Sequence, residues 1–439
     1  MFEYKEGNLQ IFGRDARALT RSILTPFFLI DEQRFIDNYT TLSHALGSDD
    51  GSSIVRYCIK TNNELGVLKV VAGLGSHAMA SCPSEIQLAS MSGITPERMS
   101  YQSPLLRERE LHDVLDAGVK HVHAFRMEDL ILLEEIAGLR GTHFQVSLRV
   151  QFESPGSPLT PLGFLSGRLG FSASEVVAAG VLCNGSSRLS LRGINFYLGT
   201  QRISPENYRK PISQVVSMAT RLRHEHNIHV HEINVGGGVP SPSMRRLHLR
   251  PRDLIKRWRD SDAVSFSPAI LDSFAKELKS VFHEVVHKQG FDPAPTLAVE
   301  AGRSLIGNAT VLITRVCRAK GAWLFLDASR NDLGESPLLF RRTIMPAVHH
   351  QGAQDRFYHL SGRTLNTRDI IDLRRRLPEV REGDVLAIGD AGAYTIARSS
   401  RYAGLAPAVH MITTANEIKE IRRPETVEDL AGPMDKTHV

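Results

Sequence analysis

Eight short apolar runs of β type, separated by stretches of helical character, occupy the chain between residues 54 and 300. The runs are Ile54–Lys60, His77–Ser81, Met99–Ser103, Lys120–Phe125, Phe144–Gln151, Leu191–Tyr197, Val230–Val235 and Leu297–Glu300. Between them, Glu85–Ala89, Leu111–Leu115 and Met127–Ile136 carry helical periodicity. Strands alternating with helices predict βα units and parallel pairing. Eight such units predict a closed (β/α)8 barrel of the TIM type, with an open doubly wound sheet as the alternative.

After about residue 305 the texture changes. Val311–Ala319, Trp323–Asp327, Phe357–Leu360 and Val385–Gly389 read as strands with turns and little helix between them. A chain of 439 residues is too long for one ordinary core. The division expected is a barrel over 30–304 and a second, β-rich domain of sandwich or barrel-like type. That second domain would take 305–439 together with 1–29, which lack a βα pattern. A hydrophobic content of 42% with 23% charged residues is that of a globular protein and excludes disorder as the main theme. Pro26–Ile30 is far too short to span a bilayer. Met1–Glu6 shows no basic segment leading into an apolar one, so a cytoplasmic protein is expected.

The four cysteines, Cys58, Cys82, Cys183 and Cys317, lack metal-site spacing and read as small buried residues. The eighteen histidines contain no H-E-x-x-H pattern, and no metal is expected. The net charge of +5 is modest. The basic segment 245–259, with Arg250, Arg252, Lys256 and Arg257, reads as a solvated helix face or a surface for an acidic partner. No nucleic-acid motif accompanies it.

In a (β/α)8 barrel, function collects at the C-terminal ends of the strands. Lys60 closes the first run, in a setting where desolvation lowers a lysine pKa and favours Schiff-base chemistry. Tyr197-Leu198-Gly199-Thr200-Gln201 closes the sixth, Gly236-Gly237-Gly238 follows the seventh, and Glu300-Ala301-Gly302-Arg303 closes the eighth. Consecutive glycines let bare N–H groups approach a phosphate. Thr200 adds a hydroxyl, Glu300 can hold a ring nitrogen protonated, and Gly302 and Arg303 lie on the phosphate side. Jointly these are the parts that pyridoxal 5'-phosphate (PLP) requires.

At this point the chain resembles the fold-type III PLP-dependent decarboxylases, the diaminopimelate, ornithine and arginine decarboxylase group. Tyr57-Cys58-Ile59-Lys60-Thr61-Asn62 looks like the lysine motif, and Ala80-Ser81 with Glu85 like the segment after the second strand. Gly193–Gln201 is similar to the ring-stacking motif. Gly236–Gly238 and Glu300–Arg303 resemble the phosphate and pyridine motifs, and Asp390-Ala391-Gly392-Ala393-Tyr394 the tyrosine motif of the second domain. The resemblance implies an amino-acid decarboxylase that works as a homodimer with shared active sites. It also implies Lys60 as the Schiff-base lysine and Tyr197 against the cofactor ring. Gly237, Gly238, Thr200, Arg303 and Tyr394 would bind the phosphate, and Glu300 the pyridine nitrogen. A glutamate there favours decarboxylation over racemisation.

The departures concern substrate and proton return. The stacking histidine of the family is Tyr197, and an aspartate expected before Ala80 is replaced by Ala78 and Met79. Ser361–Asp369 aligns with a Gly-Pro-x-Cys-acid-Ser-x-Asp motif. There the cysteine that protonates the carbanion is Leu365, and the acid that meets a distal amine is Asn366. Arg363, Thr364 and Arg368 complete the expected substrate-binding loop. Guanidinium groups suit carboxylates. The expected substrate is therefore an amino acid with an anionic or bulky substituent, such as a citrate conjugate of siderophore biosynthesis, rather than a free basic amino acid. An epimerase on the same scaffold and a PLP-binding protein without activity are the alternatives.

Overall fold

The computed structural model describes residues 1–152, 169–202, 204–242, 245–246, 269–334, 340–349 and 354–434. The chain divides into two compact units. One comprises Tyr39–Pro240 and Ala269–Gly302; the other comprises Met1–Asn38, the described residues of 241–268, and Arg303 onward.

The first unit is a closed barrel of eight parallel strands. In chain order they are Ser53–Cys58, His77–Ala80, Met99–Tyr101, His121–Ala124, Phe144–Arg149, Leu189–Asn195, Glu232–Asn234 and Thr296–Ala301. Each expected run overlaps one of them, and the ring closes where the eighth strand pairs with the first, Glu300 opposite Arg56 and Ala301 opposite Tyr57. The open-sheet alternative is thereby excluded. The strand ends differ from the sequence reading at Lys60, which lies beyond its strand in a 3-10 turn, Ile59–Thr61.

Helices between the strands follow local chemistry. Ala173–Gly185 begins at a capping box, with the Ser172 hydroxyl accepting from the Glu175 amide and the Glu175 carboxylate accepting from the Ser172 amide. Met127–Arg140 stops where Gly141 takes φ +58°. Ile270–Lys288 buries Leu271, Phe274, Leu278, Val281, Phe282 and Val285 along one stripe. Each such side chain contributes about 1.5–3 kcal/mol of burial.

The barrel interior departs from the usual apolar filling. Arg56 makes two hydrogen bonds of 2.7 Å to the two oxygens of Glu232, both residues being fully buried. His121 and His123 stack at 5.1 Å, and the His121 Nε2 lies 2.8 Å from the Ser147 hydroxyl.

The second unit is a nine-stranded sheet with a small antiparallel meander, Phe2–Lys5, Asn8–Ile11 and Arg14–Asp15. Its central strand is Thr310–Lys320. Val385–Ile388 and Phe27–Asp31 both pair with it antiparallel, and Ala408–Ile412 runs parallel to Phe27–Asp31. Leu9, Ile11, Phe27, Leu29, Val311, Ile313 and Val385 form its core. Phe27–Asp31 crosses the expected boundary at residue 30. Beyond residue 305, four strands of this sheet lie outside the expected runs: Ile370–Leu377, Ile344–Pro346, Ala408–Ile412 and Ile418–Arg422. The first is interrupted by Asp372 and by arginines at 374–376, which mask its alternation. Apart from the paired backbone of Arg245–Arg246, the basic segment 245–259 lies outside the described residues. Cys58 and Cys183 are buried, but Cys82 is half-buried and Cys317 exposed, against the expectation that all four cysteines are buried. Among the described residues no helix is long and apolar enough to cross a membrane, and no cluster could hold a metal ion.

Candidate active site

In the barrel unit, the candidate residues begin with the turn that carries Lys60. Tyr57, fully buried, donates its hydroxyl hydrogen to the Asn62 carbonyl at 2.9 Å, and the Asn62 amide donates back to Ile59 at 3.1 Å. The Asn62 side chain accepts from the Glu64 amide at the start of helix Leu65–Gly73. The turn is thus tied at both ends, while Lys60 itself is exposed. This exposure departs from the expectation of a partly dry lysine. A Cβ at Gly302 would overlap the Thr61 hydroxyl, so Gly302 lets the eighth strand end approach this turn.

Glu300 is buried, with both its amide contacts on one oxygen. Asn234 Nδ2 donates to Oε1 at 2.9 Å and Asn195 Nδ2 at 3.5 Å. Asn234 Oδ1 accepts from the Gly236 amide at 2.8 Å, and the Glu300 amide donates to the Gly236 carbonyl at 3.0 Å. One asparagine therefore orients both the carboxylate and the glycine turn. Asn195 Oδ1 accepts from Arg149 Nη1 at 2.7 Å and Gln102 Nε2 at 3.1 Å. Burial pulls the Arg149 guanidinium down from its ordinary pKa, opposed by Glu300 and Tyr197. Its guanidinium lies 5.8 Å from the Tyr197 ring centre, and Tyr197 is 45% exposed.

The glycine turn is backbone against backbone. Side chains at Gly236 and Gly238 would overlap the carbonyls of Phe196 and Gly199, and both glycines have positive φ, +72° and +96°. Thr200 is half-buried beside Gly238. Around Lys60, Glu85 accepts from the Ser81 amide at 2.6 Å; burial raises its carboxyl pKa, against that bond and the Lys60 charge. Burial likewise pushes the Cys58 thiol up.

In the second unit, Arg303 opens the short helix Arg303–Ile306, and its guanidinium lies over the Tyr394 ring at 5.1 Å. Tyr394 takes φ +56°, a strained conformation for a tyrosine. The segment is held there because Gly392 packs on the Ile306 carbonyl and the Ala391 amide donates to Thr310 at 3.0 Å.

The loop expected to touch substrate is organised by Asp369. It accepts from the Ser329 hydroxyl, the Arg330 amide, the Thr364 amide and the Thr364 hydroxyl, at 2.7–3.0 Å. Leu365 is fully exposed and Asn366 is exposed. Arg363 turns inward, reaching the Asp327 carbonyl at 2.6 Å and the buried Asp332 at 3.2 Å, so its charge is committed within the fold. Arg330 and Arg398 line a cavity with Arg368 instead.

Asn195, Asn234 and Arg149 escaped the sequence reading. Each is a polar residue near the end of an otherwise apolar strand, which is the signal that could have found them. The donor set fits PLP: a glycine cradle that any Cβ would fill, a lysine on a braced turn, and a buried carboxylate with one oxygen left for a ring nitrogen.

The family model for the pyridoxal-binding domain of pyridoxal-dependent decarboxylases matches residues 33–307. The chain is similar to the diaminopimelate decarboxylase of Methanothermobacter thermautotrophicus, 28% identical over 97% of this chain and 95% of the relative. That of Aquifex aeolicus is 26% identical over 98% and 96%. Among solved structures, diaminopimelate decarboxylase from M. jannaschii superposes with a TM-score of 0.85 at 22% identity, covering 100% of this chain and 98% of that one. Lysine decarboxylase from Selenomonas ruminantium gives 0.73 at 19%, covering 93% and 98%; both show a shared fold. With its barrel closed as the motifs require and the matched region spanning that barrel, the chain belongs to the pyridoxal-dependent decarboxylase family.

Proposed function

We propose that the protein is a PLP-dependent carboxy-lyase that removes the α-carboxylate of an amino acid or amino-acid conjugate carrying an anionic or bulky substituent. The observation that carries the substrate part is the loop at 365–366, which presents Leu365 and Asn366 where the resemblance leads one to expect a thiol and an acid. Free lysine, ornithine and arginine carry a distal cation that this loop does not offer to neutralise. A citrate conjugate of the kind used in siderophore assembly is one substrate of the required chemistry.

When bound, PLP supplies the electron sink for the carbanion left by loss of CO₂. The residues of this chain do the rest. Lys60 would provide the point of covalent attachment, and the hydrogen bond from Tyr57 to Asn62 braces its turn. Gly237, Gly238, Thr200, Arg303 and Tyr394 would hold the phosphate. Glu300, oriented by Asn234, would keep the ring nitrogen protonated. Tyr197 offers an aromatic face and a hydroxyl. The Thr364 hydroxyl is engaged with Asp369, so proton return at Cα falls to the Lys60 amine, the Tyr197 hydroxyl or water. A cytoplasmic homodimer whose partner completes each site is part of this proposal, resting on the family resemblance.

A second reading is diaminopimelate itself, favoured by the full-length similarity to diaminopimelate decarboxylases. Measuring ¹⁴CO₂ release from labelled diaminopimelate, lysine, ornithine and arginine, and from their citrate amides, separates the two. Turnover confined to the conjugates is expected; efficient turnover of diaminopimelate or ornithine would sink the conjugate reading. Retention of the label with inverted stereochemistry would instead show an epimerase.

A further inference from the structure

The second unit contains a cavity of about 210 Å³ lined by Arg330, Arg368, Arg398, Asn366, Thr364 and Ser400, with Asp369 at its base. Three guanidiniums face a single lining carboxylate, and Asp369 already accepts four hydrogen bonds from Ser329, Arg330 and Thr364. The Arg330 side chain donates to the Arg368 carbonyl at 3.2 Å and has no carboxylate partner among the described residues. The side chains of Arg368 and Arg398 have no carboxylate partner among the described residues. A surplus of positive charge collected in one concavity is unfavourable unless an anion joins it. Arginine forks match carboxylate and phosphate oxygens pairwise.

The cavity is also continuous with the cofactor motif of its own unit. Gly334, in its wall, packs on the Tyr394 carbonyl and beside the Arg398 Cβ, so closely that a side chain at 334 would overlap that carbonyl. The Arg398 backbone amide in turn donates to the Thr395 carbonyl at 2.9 Å. Arg398 and the tyrosine assigned to the phosphate therefore belong to one turn, with Gly334 packed against both.

We propose that Arg330, Arg368 and Arg398 form a specificity subsite for a substrate group bearing at least two negative charges, as carboxylates or as a phosphate. Arg330 and Arg398 are the deciding residues, because neither belongs to the loop that the resemblance singles out. This inference rests on the carboxy-lyase reading for its link to substrate, but not for binding of the anion. It is tested on the holoenzyme by isothermal titration with citrate, inorganic phosphate and, as a monoanion control, acetate.

Saturable binding of citrate or phosphate but not acetate is expected, and which of the two binds more tightly distinguishes a polycarboxylate from a phosphate group. R330Q and R398Q should each weaken binding about tenfold, with R398K restoring part of it and the melting temperature of every variant within a few degrees of the parent. In turnover of an anionic conjugate, R398Q should raise KM with little change in kcat. Absence of dianion binding, or equal affinity in parent and variants, would overturn the subsite. If the anions bind as expected but no amino acid loses CO₂, the subsite stands and the carboxy-lyase reading falls.

Discussion

The Tyr57 hydroxyl and the Asn62 carbonyl are joined by a 2.9 Å hydrogen bond that spans the turn carrying Lys60. Both residues are fully buried, so this bond holds an exposed lysine on a rigid base. Tyr57→Phe removes the donor and strands a buried carbonyl, a loss of about 1–3 kcal/mol. The expected result is a lower melting temperature and slower turnover, with the near-visible absorbance of the lysine-bound cofactor retained. Lys60→Ala should abolish that absorbance and all turnover; absorbance that persists in the Lys60 variant would refute its assignment.

Asn234 serves two masters, the Glu300 carboxylate and the Gly236 amide. Asn234→Leu should impair both cofactor affinity and kcat. Glu300→Gln should leave affinity nearly intact and lower kcat by about a hundredfold or more, the scale of a lost preorganised charge. Fluorimetric titration with PLP, run beside steady-state kinetics, checks the split.

Gly238 has φ +96° and no space for a Cβ, which would overlap the Gly199 carbonyl. Gly238→Ala should therefore weaken PLP binding severely. Gly141, also at positive φ but with nothing within 4 Å, is the internal control: Gly141→Ala carries only the left-handed backbone penalty of about 1 kcal/mol. Equal effects of the two substitutions on PLP affinity would contradict the cradle.

Burial lowers the His123 pKa to about 4, and neither ring nitrogen has a hydrogen-bond partner among the described residues. His77 is also lowered to about 4, mainly by burial. Because the folded-state values lie below the ordinary value near 6.5, the unfolded chain binds more protons between the two. Stability then falls as pH drops from about 6.5 towards 4. For His123 this amounts to roughly 2–3 kcal/mol. Chemical denaturation at pH 7.5 and pH 4.5 should show the loss, and His123→Met should reduce it; a pH-independent midpoint would contradict a neutral buried imidazole.

Much of the fold was legible because a barrel strand buried on both faces must be a short apolar run, and eight such runs between Ile54 and Glu300 leave few topologies. The Lys60, Gly236–Gly238 and Glu300 positions were legible for the same reason: strand ends in this architecture converge. Ile370–Leu377 was not, since Asp372 and three arginines break its apolar pattern, and the buried Arg375 is paired with Asp372 and with the Arg342 carbonyl. The inward turn of Arg363 was equally hidden, because its partner Asp332 is brought to it by the fold alone.

The sequence by itself determined the barrel, the cofactor chemistry and the loss of thiol and acid at Leu365 and Asn366. These follow from residue type and order along one strand or loop. The tertiary structure alone decided which charges remain available. It paired Arg363 with the buried Asp332, oriented Glu300 through Asn234, and gathered Arg330, Arg368 and Arg398 from separate segments round one cavity. The physical reason is that the electrostatic role of a side chain depends on the partners and the solvent around it, and neither is a property of its place in the chain.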